Sequence, residues 1–168
     1  DRLRQRLDPG AAEPELELIL VRRGPRHRQT SLADQPVPGP AVREVALEML
    51  TRVNLPPSAV RALLMGALSQ SDPGPLRAAV LGLAALAPSY GADDAREVCD
   101  AVGARMDSAD SSVRCAVIET LVRAAAFASE ETRRVVARRI EDALAERSDA
   151  VRSRALEALV GFAPLAPE

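Results

Sequence analysis

Four segments of this chain repeat a short pattern, an aliphatic residue followed by Arg and then by small and large apolar residues. They read VREVALEML from Val42, LRAAVLGLA from Leu76, VRCAVIETL from Val113 and VRSRALEAL from Val151. The steps between them are 34, 37 and 38 residues. Self-similarity at this period means that one supersecondary unit is repeated, each unit burying its apolar side against its neighbours. Few other architectures tolerate such a period. It leaves about 15 residues per helix plus two short turns.

Composition points the same way. Aromatic residues make up 2% of the chain, namely Tyr90, Phe127 and Phe162, with no Trp. The core must therefore come from Ala, Leu and Val, which suit close helix pairs better than a sandwich or barrel. The spacing and the breaks predict helices over residues 41–53, 58–70, 75–87, 92–107, 111–127, 130–146 and 150–162. Ser58, Asp110, Ser129 and Asp149 stand where side-chain oxygens can accept from the unpaired N–H groups of a first turn. Pro40 and Pro75 fit a first turn, where a missing N–H is tolerated.

The segments DSSVRCAVIETL and SDAVRSRALEAL resemble the second helix of the HEAT-repeat family, an Asp-x-x-Val-Arg-x-x-Ala-x-x-x-Leu pattern. The resemblance covers residues 41–162 and implies an all-α solenoid of stacked antiparallel hairpins, about four HEAT-type repeats. It also implies an Arg/Asp ladder between repeats, here Arg43, Arg77, Arg114 and Arg152 with Asp72, Asp110 and Asp149. A cation in a first turn opposes the helix dipole, so a structural partner is needed to hold it there.

The rest of the chain divides into two further parts. Residues 1–23 form an N-terminal segment in which 15–23, ELELILVRR, is expected as a short helix. Residues 24–40 carry Pro25, Pro36, Pro38 and Pro40, which forbid a regular helix and predict a loop. Residues 41–168 form the repeat array. The chain opens on Asp1 rather than Met, which fits a fragment or a processed product. The closing GFAPLAPE follows no clearly polar helix, so an apolar edge is expected near Leu144, Leu159 and Phe162.

Chemistry is sparse. The single histidine, His27, lies in the proline-rich loop. Cys99 and Cys115 lack metal spacing and read as packed, reduced thiols, which predicts an intracellular, cytoplasmic protein. All 22 basic residues are Arg, which excludes a Lys nucleophile or P-loop Lys. There is no CxxC, HExxH, GxSxG or GxGxxG arrangement. No catalytic residue, metal site or cofactor is expected. No apolar run reaches membrane-spanning length. A net charge of −2 supplies no general attraction for nucleic acid. The RRGPRHR run, with Arg22, Arg23, Arg26 and Arg28, is the one dense basic cluster and a candidate contact loop. It includes Arg26-x-Arg28-x-x-Ser31, which resembles a basophilic kinase site.

These features favour a non-catalytic, protein-binding scaffold or complex subunit that uses its second helices as a binding face. The alternative is a nucleic-acid-binding or processing protein, since some HEAT-like proteins are DNA glycosylases. The sharpest candidate site is the sixth position after each starting aliphatic residue: Glu48, Gly82, Glu119 and Glu157. On a helix this position lies about 240° from the buried origin. It predicts an acidic column, with a glycine gap, for a basic peptide or helix.

Overall fold

The computed structural model describes residues 38–50, 52 and 54–162. The expected helix over 15–23, nearly all of the proline-rich loop, and Arg22, Arg23, Arg26, His27 and Arg28 lie outside these residues. The described part is all-helical, with no strand. Its α-helices are α1 (Pro40–Leu50), α2 (Pro57–Ala67), α3 (Pro73–Leu86), α4 (Ala92–Gly103), α5 (Ser111–Ala125), α6 (Glu130–Asp142) and α7 (Asp149–Phe162). Short 3₁₀ turns follow α3, α4 and α6.

Local chemistry explains most of the boundaries. Asp110 caps α5 by accepting from the N–H groups of Ser112 and Val113, and Ser129 caps α6 by accepting from Thr132. Pro40 is the first residue of α1. Three expectations shift by one turn or less. Pro57 rather than Ser58 opens α2, with Pro56 as its cap. Pro73 rather than Pro75 takes the first position of α3. Asp149 is the first residue of α7 rather than the residue before it. In the first two cases proline's fixed φ suits the first helical position, so the helix starts there.

The helices that carry the four repeated segments, α1, α3, α5 and α7, pack in series, each against the next, while α2, α4 and α6 each pack on the helix that follows. One apolar core runs through these contacts. Its largest fully buried side chains include Leu64, Leu83, Ile118, Leu121 and Ile140. Its aromatic members are Tyr90 and Phe162, and Tyr90 donates its hydroxyl to the Leu83 carbonyl at 2.6 Å.

The core differs from the periodic expectation at its edges. The fifth position after each starting aliphatic residue is apolar in all four segments, as Leu47, Leu81, Ile118 and Leu156. Ile118 is buried there, yet Leu156 is 59% exposed. Val42, the starting residue of its segment, is 60% exposed. Val45 and Met49 on the same side of α1 are exposed as well. Periodicity marks these positions as apolar, but burial requires a neighbouring helix, and none of the described helices packs on those sides. Phe162, expected on an exposed edge, is buried at 2% exposure. Leu144 is exposed and Leu159 half-buried.

Candidate functional site: the face of the second helices

The exposed side of α3, α5 and α7 carries an open hollow of about 330 Å³. Its lining includes Leu81, Cys115 and Ala116 as the apolar part, with Arg77, Glu119 and Arg154 as the charged part. No residue of α2, α4 or α6 lines it.

Around the hollow, carboxylates and guanidiniums alternate between helices. Arg77 on α3 bridges back to Glu44 on α1 at 2.9 Å. Arg154 on α7 reaches Glu119 on α5 and Glu157 on its own helix, both at 3.4 Å. Arg123 pairs with Glu119 at 2.9 Å, one helical turn away. These are partly exposed pairs, each worth no more than about 1 kcal/mol to the fold. Their clearer effect is on surface charge, which is mixed rather than uniformly negative.

That arrangement corrects the acidic column. Glu48 and Glu157 are exposed and Glu119 is half-buried, but Glu119 and Glu157 both face Arg154. Gly82 is not on this face. It is buried, and a Cβ placed on it would come within 2.9 Å of Leu64 Cδ1 on α2. The physical reason is that α3 is apolar almost all round and is packed on more than one side, so its sixth position meets α2 instead of solvent. The glycine gap therefore admits a neighbouring leucine, not a ligand.

The repeated arginines take several kinds of partner. Arg43 donates to Asp72 at 2.8 Å and also to Gln70, tying α1 to the loop before α3. Arg114 reaches forward in the same way, to Glu146 before α7, at 3.7 Å. Arg114 also donates to the Ser108 carbonyl, and Arg152 to the Glu146 carbonyl, each six residues back in its own preceding loop. Arg152 pairs with Asp149 besides. Asp110 is occupied with capping, and Arg77 turns to Glu44. Such donation to loop carbonyls offsets the unfavourable place of a cation in a first helical turn.

Sequence reasoning missed Leu81, Cys115, Arg123 and Arg154 as members of one site. Arg154 is a charged residue where the other three segments carry Val45, Ala79 and Ala116. That departure was the available signal. It also missed Arg61, which joins α2 to α4 through Asp94 at 2.7 Å and Glu97 at 2.9 Å, and Arg139. The Arg139 guanidinium donates to the Cys99 carbonyl at 3.0 Å. It passes over Gly103, where any Cβ would collide with it.

The thiols differ. Burial pushes Cys99 up to about 12, with nearby Asp100 adding to the effect. Cys115 is also raised by burial, although Arg154 and Arg114 pull the other way. It lines the hollow, whereas Cys99 is buried. Neither thiol is poised as a thiolate nucleophile at neutral pH. Among the described residues no group of three or more metal-ligating side chains comes together. No described helix is long and apolar enough to cross a membrane.

No family model and no curated protein matches the chain. Among solved structures, it is similar to the crystal structure of an engineered protein, a Northeast Structural Genomics Consortium target, at 19% sequence identity and a TM-score of 0.56. The match covers 74% of this chain and spans 57% of the engineered protein's length. At that identity the likeness concerns the helical fold alone.

Proposed function

We propose that the chain is a HEAT-type α-solenoid acting as a non-catalytic, protein-binding scaffold or assembly subunit, with α1, α3, α5 and α7 forming the binding face. One observation carries this reading. These helices pack in series, and among the described residues their outer side carries paired charges around an apolar-floored hollow. Repeat arrays commonly use such extended surfaces to hold other macromolecules. Two free cysteines suit an intracellular, reducing compartment.

The test uses the full chain as bait in a cross-linking pull-down with quantitative mass spectrometry. Arg123→Glu with Glu157→Arg alters the proposed face at exposed positions. Arg134→Glu with Arg138→Glu alters exposed positions of α6 and serves as the control. A partner lost with the first pair and kept with the second supports the face. The reverse pattern would place binding on the other helices.

A further inference from the structure

The hollow has an excess of hydrogen-bond donors over available acceptors. Glu119, the carboxylate in its wall, already accepts from Arg123 at 2.9 Å and faces Arg154 at 3.4 Å. Arg154 spreads between Glu119 and Glu157, both at 3.4 Å, and its side chain is 43% exposed. A charge-assisted N–H···O bond is shorter, about 2.7–2.9 Å, so neither contact uses this guanidinium at its best length. Arg77 makes one short bond to Glu44 and its side chain is 40% exposed. Each guanidinium carries five N–H donors, and both line the hollow. Two partly exposed cations thus flank a floor of Leu81 and Ala116.

We infer that this hollow takes an acidic side chain from a partner peptide, with an aliphatic side chain next to it seated on the Leu81–Ala116 floor. The inference rests on reading the second-helix face as the binding face, and it replaces the basic partner that an uninterrupted carboxylate column would select. The complementarity lies in spare donors: a carboxylate entering between Arg77 and Arg154 meets two partly exposed guanidiniums that keep free N–H groups beside their bonds to Glu44, Glu119 and Glu157. The size fits as well. About 330 Å³ holds one or two side chains, not a folded domain. No aromatic residue lines the hollow, so it offers no platform on which a nucleic-acid base would stack.

Cys115 supplies a native reporter, because its thiol lines the hollow while Cys99 is buried. Random dodecapeptides are selected by display on the full-length protein. Selected peptides are then titrated against wild type, Arg154→Gln and Arg77→Gln, each checked for unchanged helicity and melting. Maleimide labelling of Cys115 is followed in parallel, and inorganic phosphate is titrated as a competitor.

The expected result has four parts. Enriched peptides carry Asp or Glu beside an aliphatic residue, bind about tenfold more weakly to Arg154→Gln, weaken with salt, and slow Cys115 labelling. Enrichment of basic peptides that still protect Cys115 would overturn the acidic partner while leaving the binding face in place. Peptides that neither protect Cys115 nor respond to any substitution on the second helices would overturn both. Phosphate displacing the peptide at equal concentration would show a general anion site and overturn the peptide-specific form.

Discussion

Thr120 on α5 places its hydroxyl oxygen 3.0 Å from the carbonyl oxygen of Val80 on α3. The same oxygen lies 2.8 Å from the Ala116 carbonyl of its own helix. Its single proton can serve one acceptor at a time. Thr120 is fully buried, so this polar group at the seam between two second helices is satisfied without water. Replacing it by the near-isosteric Val removes the donor but leaves both carbonyls in their helical hydrogen bonds. Thr120→Val should cost about 1 kcal/mol, read by urea unfolding. An unchanged midpoint would show that the bond adds nothing to the α3–α5 contact.

Leu121 and Leu156 carry the same side chain in very different settings. Leu121 is 1% exposed, and Leu121→Ala should destabilise by about 2–5 kcal/mol through lost contacts and a residual cavity. Leu156 is largely exposed, so Leu156→Ala should fall within about 0.5 kcal/mol of wild type. Equal losses for the two variants would contradict the packing of α7.

The glycines at 82 and 66 make a second matched pair. A methyl group at Gly82 would press on both Leu64 methyls, at 2.9 and 3.0 Å. Leu64 is fully buried and has no solvent to move into. Overpacking of this kind costs about 1–3 kcal/mol, more than the helix preference of Ala over Gly returns. Gly82→Ala should therefore lower the melting temperature. Nothing lies within 4 Å of a Cβ at Gly66, so Gly66→Ala should stabilise by about 0.5–1 kcal/mol. Differential scanning calorimetry of both variants checks the two signs together.

Asp110 links stability to pH. Hydrogen bonds from the Ser112 hydroxyl and the Val113 amide hold its carboxyl below the ordinary value of 3.8, with smaller help from the Ser112 amide and Arg114. A depressed folded pKa gives stability that is present above the unfolded value and is lost as pH falls through the folded one. Asp110→Ala should cost about 1 kcal/mol at neutral pH, the usual loss for an N-cap. The gap from wild type should narrow below about pH 4 as the carboxyl protonates. A gap that stays constant down to pH 2 would rule out the charged cap.

The sequence by itself determined where the helices lie. Pro40 and the caps Asp110 and Ser129 act within one or two helical turns, and the 34- to 38-residue recurrence sets where each unit begins. Their consequences are local and survive any arrangement of neighbours. The same recurrence showed that every second helix is apolar on a broad side. Tertiary structure alone decided which apolar positions find a neighbour, because burial is a property of pairs of helices. Ile118 and Leu156 share a repeat position, yet only Ile118 is covered on both sides. It also decided that Gly82 meets Leu64, and that Arg154 reaches Glu119, 35 residues earlier. Helical periodicity gives the direction of each side chain around its own axis. Whether that direction meets a leucine, an arginine or water depends on how the neighbouring axes are placed, and the hollow between Arg77 and Arg154 exists only once α3, α5 and α7 are set side by side.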